Sequence, residues 1–228
     1  MALKPKKAKT ANNFKAEVIE PDSYPARVVQ VIDLGTQPQP AFQGTEKPPR
    51  HTLWVTYEMV DLFMKDNDGN ELEDKPRWFS ERLALFPLES ERAKSTQRYK
   101  AIDPKNKFDG DFSQILGQPC IVMVDQYKKK DGTLGNGIGA VSPIMRGMVV
   151  PELSNEPKLF LMDEPDMEVF NDLPDFLKDL IKGSSDFPGS DLEALLAGEK
   201  PAPKKEPEEE PEATPEAQDE DSDEDTPW

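Results

Sequence analysis

Cysteine and histidine occur once each in this chain of 228 residues, as Cys120 and His51. A single thiol forms no intrachain disulfide, and one imidazole with one thiol does not make a His/Cys zinc site. No apolar run approaches the ~18 residues that read as a membrane span, and no secretory leader is recognisable. The expected setting is therefore a reducing cytosol without membrane attachment. Apolar residues are also scarce, at 36% of the chain against 23 prolines and 32% charged residues, so a sizeable part of the chain should not pack.

The net charge of −17 is unevenly spread. Glu206 to Trp228 holds 12 acidic residues and no basic one, and Asp163 to Glu199 holds 11 acidic and 2 basic residues. Met1 to Met162 is left at +1. A near-neutral domain can carry a basic groove, so the overall acidity does not exclude nucleic acid.

Residues 1–22 open with Lys4, Lys6, Lys7 and Lys9 and read as a flexible basic arm, either solubilising or an extra phosphate contact. From Tyr24 to Leu34 the β-branched content predicts a strand. Gln37 to Pro49, with four prolines, reads as a loop that cannot be a central strand. His51 to Met59 alternates, with Leu53, Val55, Tyr57 and Met59 on one face and Thr52, Trp54, Thr56 and Glu58 on the other. Arg77 to Leu85 is a third strand, and Leu88 to Ile102 a helix. A short helical turn at Phe112 to Leu116 precedes a fourth strand at Cys120 to Tyr127. A hairpin over Lys128–Gly132 leads into a fifth strand, Thr133 to Ile144.

Beyond Pro151 come a linker or edge segment and two or three short helices. One runs from Pro174 to Gly183 with the stripe Phe176, Leu177, Leu180 and Ile181; another is marked by the Ser190/Glu193 capping box. So short a helix must dock on something or fray. Residues 199–228, rich in proline and acid, read as disordered.

Three strands, a helix and a two-strand hairpin resemble the order of the oligonucleotide/oligosaccharide-binding (OB) barrel, with a sandwich as the alternative. The expected fold is mainly β: a five-stranded OB-like barrel over residues 23–150 with a helix between strands 3 and 4. The linker and short helices over 151–198 and the acidic tail then follow.

Signals for catalysis are weak. Asp66-Asn67-Asp68-Gly69 has the look of a calcium loop, yet Met64 and Lys75 stand where such a loop needs acids. Gly135, Gly137 and Gly139 form G-x-G-x-G, which is not a dinucleotide fingerprint; they read as a bulge, a barrel corner or a close approach of backbone to DNA. Cys120 sits in an apolar run without a histidine nearby and reads as a core thiol. No enzyme activity and no cofactor or metal is expected.

Signals for binding are stronger. A single strand is held by cations along its phosphates and aromatic faces under its bases. Trp54, Trp78 and Tyr127 are the candidate stacking residues; Arg77, Arg82, Lys128, Lys129 and Lys130 are the candidate phosphate contacts. Trp54 could instead cover a helix or an interface, and which of Trp78 and Phe79 points outward depends on register.

The last six residues, Asp223-Glu224-Asp225-Thr226-Pro227-Trp228, resemble the acidic tip of bacterial single-stranded DNA-binding proteins: a run of acids, one variable residue, proline and a terminal aromatic. Phage replication proteins of the same kind carry a similar tail. Tryptophan here replaces the usual phenylalanine, the body departs from the bacterial pattern, and the helices near Asp166–Gly198 are additional. The resemblance implies a bacteriophage protein in the host cytoplasm that binds single-stranded DNA in replication, recombination or repair. Asp223, Glu224, Asp225, Pro227 and Trp228 would recruit partner proteins. The alternative is an acidic interaction protein, a DNA mimic or adaptor, that binds no DNA; a structural virion protein is a second rival.

Overall fold

A computed structural model describes residues 17–42, 44–66 and 68–198. The basic arm before Glu17 and the acidic tail, including Asp223, Glu224, Asp225, Pro227 and Trp228, lie outside the described residues.

The described chain is mainly β. Strands β1 (Asp22–Phe42), β2 (Thr45–Lys65), β3 (Glu71–Ala84), β4 (Pro119–Lys128) and β5 (Leu134–Ser142) form a curled antiparallel sheet in the order β3-β2-β1-β4-β5. A short strand β6 (Lys158–Phe160) joins in parallel. Strand β1 is the spine. Its first part, Asp22–Arg27, pairs with β4; where β4 leaves, Gln30–Ile32 takes β6 as the new neighbour.

The alternation in β2 acts as the pattern predicts. Leu53, Val55, Tyr57 and Met59 enter the core inside the curl with Ala26, Val28 and Val31 of β1, Cys120, Val122 and Val124 of β4, and Leu83 of β3. Helix α1 (Lys94–Ile102) and a 3-10 turn at Phe112–Ile115 close this core with Tyr99, Ala101, Ile102 and Ile115. Cys120 is wholly buried there, and burial pushes its thiol up to about 12.

The end strands β3 and β5 approach without pairing. Arg98 of α1 spans the gap: its Nε donates to Glu81 Oε1 of β3 at 2.9 Å and its Nη2 to the Gly139 carbonyl of β5 at 3.2 Å. Glu81, almost inaccessible, also accepts from Tyr57 Oη at 3.0 Å and pairs with Lys94 Nζ at 2.6 Å. A carboxylate inside a barrel is tolerable only with its lone pairs this fully engaged. Burial, with the Glu81 charge beside it, drives the Tyr57 hydroxyl well above the usual tyrosine range.

A bulge in β1 between Val28 and Gln30 changes which residues face which side. Beyond it, Ile32 and Leu34 enter a second core on the opposite face of the sheet. There they meet Phe160 and Met162, Phe170 of α2 (Met167–Asp172), Leu177 and Ile181 of α3 (Asp175–Lys182), and Leu192 of α4 (Asp191–Leu196). The Ser190 hydroxyl caps α4 by accepting from Glu193 N at 3.2 Å. The short helices thus find their stability in docking. A polar clasp joins the same parts: His51 Nε2 meets Asp33 Oδ1 at 2.9 Å, and Asp186, beyond α3, accepts from Thr36 N at 2.7 Å and lies 3.8 Å from His51 Nδ1.

Two expectations need correction. Gln37–Pro49 is not a loop: β1 and β2 continue as a two-stranded ribbon, with partners from Thr36↔His51 to Phe42↔Thr45. Pro38, Pro40, Pro48 and Pro49 are admissible because a two-stranded ribbon has outer edges needing no donor. Helix α1 begins at Lys94 rather than Leu88. Successive turns hold residues 87–93, and the Ser95 and Thr96 hydroxyls bond back to Phe86 N and Pro87 O. Beyond Pro151, the edge reading of the segment fits β6, which joins the sheet beside β1, and the short helices dock in a core shared with β1. No described helix is long and apolar enough to cross a membrane.

Candidate nucleic-acid interface

The pairing of β3 with β2 decides between Trp78 and Phe79. Trp78 stands opposite Glu58 on the outer face, and Phe79 packs against the barrel core. The Trp78 indole is 41% exposed, and its Nε1 donates to Glu58 Oε2 at 2.9 Å. Glu58 is fully buried beneath the segment after β5, accepting from Ser154 N and Asn155 Nδ2 at 2.6 Å each. The indole edge is therefore fixed on a carboxylate that is itself held in place.

Tyr127, 52% exposed, faces outward near the end of β4. It stands opposite Gly135. A β-carbon at Gly135 would lie 3.2 Å from Tyr127 Cζ and 2.7 Å from Lys129 Cε; one at Gly137 would lie 3.5 Å from the same ring. The glycines thus leave the outer surface of β5 bare, and the tyrosine ring lies across it. A register shift between Met123 and Val124 places a bulge beside Gly139, in line with one of the three readings of these glycines. The hairpin between β4 and β5 presents Lys128, Lys129 and Lys130, all exposed. It closes through Lys129 N to Thr133 O at 2.8 Å, and Asp131 Oδ1 accepts from Thr133 N and Oγ1.

Trp78, Tyr127, Lys129 and Arg77 meet in one cleft of about 240 Å³, whose wall includes Met64, Phe79, Leu134 and Asn136. Four of the eight candidate side chains come together there. From Trp78 the outer row of β3 continues through Ser80 to Arg82, roughly 13 Å along the strand. Arg82 is exposed, donates to Gln37 Oε1 at 3.2 Å and stands opposite Trp54.

Trp54 and Arg77 are each engaged by neighbours within the fold. Trp54 packs edge-on against Phe176 of α3, ring centroids 5.4 Å apart, at the border of the second core. Its indole is partly covered by a helix, in line with one of the two readings that the sequence allows. Arg77 points into the barrel rim and is nearly buried. Its Nε donates to Phe63 O, its Nη1 to Glu17 O and its Nη2 to Glu17 Oε2, at 3.1, 2.9 and 2.6 Å. All three guanidinium nitrogens of Arg77 are thus engaged within the protein.

Sequence reasoning missed Glu17, Glu58 and Lys65. Glu17 belongs to a segment that crosses the barrel end and plugs it with Ile19. Asn136 Oδ1 accepts from Ile19 N at 2.9 Å, while Asn136 Nδ2 and Gln126 Nε2 donate to Ile19 O at 2.9 and 2.8 Å. That segment lacks a periodic pattern, so nothing in the sequence marks it. Among the described residues no cluster of three His, Cys, Asp or Glu side chains is placed to hold a metal ion. Comparison with known proteins finds no matching family model, no matching curated protein and no matching solved structure.

Proposed function

We propose that the protein is a sequence-tolerant single-stranded DNA-binding protein of replication or recombination, that its barrel is an OB-fold, and that its acidic tail recruits partner proteins. The observation that carries the reading is the pairing of two half-exposed aromatic rings, Trp78 and Tyr127, in one cleft beside the Lys128–Lys130 hairpin. Rings with one open face accept any base, because every base has a π-face, and lysines along the rim meet phosphates without reading sequence. The strand order, with α1 inserted between β3 and β4 and β5 brought up to β3, supports the OB assignment. The recruiting role of Asp223, Glu224, Asp225, Pro227 and Trp228 rests on the resemblance of the tail.

The test is a gel shift with matched single- and double-stranded oligonucleotides. The proposal expects a shift with the single strand, weakened by salt with a log–log slope of about −0.7 per phosphate neutralised. No shift with either substrate overturns it and favours the acidic interaction protein.

A further inference from the structure

Glu17 occupies a position that makes sense for a phosphate. Its carboxylate lies between two cations at the rim of the cleft: Oε2 is 2.6 Å from Arg77 Nη2 and Oε1 is 3.2 Å from Lys65 Nζ. The Arg77 side chain is only 8% exposed, whereas those of Lys65 and Glu17 are 40% and 46% exposed. The pair is thus a recessed cationic seat covered by an accessible anion. Trp78, Tyr127 and Lys129 line the same cleft.

The way the segment is held allows the carboxylate to leave without dismantling the barrel. Ile19 is the fixed point, buried in the core and clamped on both its N–H and its carbonyl by Asn136 and Gln126. Glu17 and Val18 lie outside that clamp, and both are exposed. Arg77 would keep its Nε bond to Phe63 O and its Nη1 bond to the Glu17 carbonyl, so its guanidinium would stay oriented while Nη2 was freed. Nη2 and the Lys65 ammonium, each on one oxygen of the carboxylate, are then two cationic donors for the two oxygens of an incoming oxyanion.

We propose that Arg77 and Lys65 form a phosphate-binding seat that Glu17 fills in the free protein, and that a nucleic-acid phosphate enters by displacing the Glu17 carboxylate. This rests on the single-stranded DNA reading above. The exchange trades one charge-assisted pair for another, so Glu17 lowers the affinity for any strand that reaches the cleft. It would also disfavour weakly held anions, because an incoming group must outcompete a tethered carboxylate.

The experiment compares the full chain with Glu17→Gln, Glu20→Gln and Glu17→Gln/Lys65→Gln, titrating a labelled oligothymidylate at several salt concentrations. Glu20 is an exposed acid three residues further on, so it controls for the simple loss of a negative charge. The proposal expects Glu17→Gln to bind about fivefold tighter, with a salt slope steeper by about 0.7, and Glu20→Gln to bind as the unaltered chain does. Adding Lys65→Gln should remove part of the gain. Thermal unfolding of each variant verifies that it is folded; because Glu17 and Lys65 are half-exposed, all should be. Unchanged or weaker binding by folded Glu17→Gln, or an equal gain from Glu20→Gln, overturns the seat while leaving the DNA reading intact. Absence of binding by every protein overturns both.

Discussion

Arg98 and Glu81, each almost inaccessible, pair at 2.9 Å at the seam between β3 and β5, the end strands of the curled sheet, which do not pair with each other. Through its second contact, to the Gly139 carbonyl, the same guanidinium reaches β5. A helix side chain thus replaces part of a missing ladder. Arg98→Ala leaves a buried carboxylate with Tyr57 and the half-exposed Lys94 as its remaining partners. The expected loss is about 3 kcal/mol, measured by urea denaturation. Lys94→Ala should cost less than about 1 kcal/mol, because its ammonium is half in solvent.

Trp54 and Trp78 should separate in a paired experiment. Trp54→Ala removes the contact with Phe176 and opens the border of the second core, for a loss of about 2 kcal/mol in stability. Trp78→Ala should cost about 1 kcal/mol or less in stability, yet about 1–3 kcal/mol in affinity for a single-stranded oligonucleotide. Denaturation and titration of both variants decide the matter; the reverse pattern would make Trp54 the stacking platform.

Gly135 and Gly137 offer a graded test of the Tyr127 platform. An alanine at 135 forces Lys129 and the tyrosine ring to shift, while one at 137 meets the ring at ordinary van der Waals distance. Gly135→Ala should therefore weaken oligonucleotide binding about threefold with little change in melting temperature, and Gly137→Ala should leave binding alone. Equal affinities for the two variants would detach Tyr127 from the site.

The clasp between His51 and Asp33 makes stability depend on pH in two windows. The hydrogen bond to Asp33 raises the His51 pKa against the opposing effect of burial, with Asp33, Asp186 and Asp163 adding favourable charge. Burial works to raise the Asp33 carboxyl, but the bond from His51 and the Gly35 and Met162 N–H groups hold it below its ordinary value. A raised histidine contributes stability fully below about pH 6.5 and loses it as pH climbs through the folded-state value. A lowered aspartate contributes above its ordinary value of 3.8 and loses it as pH falls through the folded-state value. Melting temperatures should thus decline from about pH 6.5 toward alkaline pH, and His51→Gln should flatten that decline.

Much of the curled sheet was legible because its strands alternate apolar and polar side chains at a period of two, even where Thr52, Thr56 and Glu58 on the polar face are buried too. The β2 alternation, the β4 run and the hairpin around Asp131-Gly132 all fall within the expected stretches, although most strands extend further. The ribbon was not legible, since prolines forbid only interior strands and the sequence does not say which strands have neighbours. The start of α1 was lost because Glu89 to Ala93 suits a helix locally, while the turns that hold it depend on Pro87 and on back-bonding from Ser95 and Thr96. At the site, residue types were readable and directions were not. Whether Trp78 or Phe79 faces out, and whether Trp54 is covered, follow from register and from a helix more than 100 residues downstream. Arg77 looks in sequence like any strand-edge cation; only Glu17, 60 residues earlier, shows what it holds.

Strand β1 belongs to two cores at once. Ala26, Val28 and, past the bulge, Val31 serve the barrel-like side, while Ile32 and Leu34, alternating with Val31, serve the helical side. Neither side can melt without taking the other's spine with it, so the helices after Pro151 are thermodynamic partners of the barrel rather than ornaments on it. A deletion designed to isolate the barrel at Val150 would strip Ile32, Leu34 and Trp54 of their cover and produce a sticky fragment, not a minimal domain.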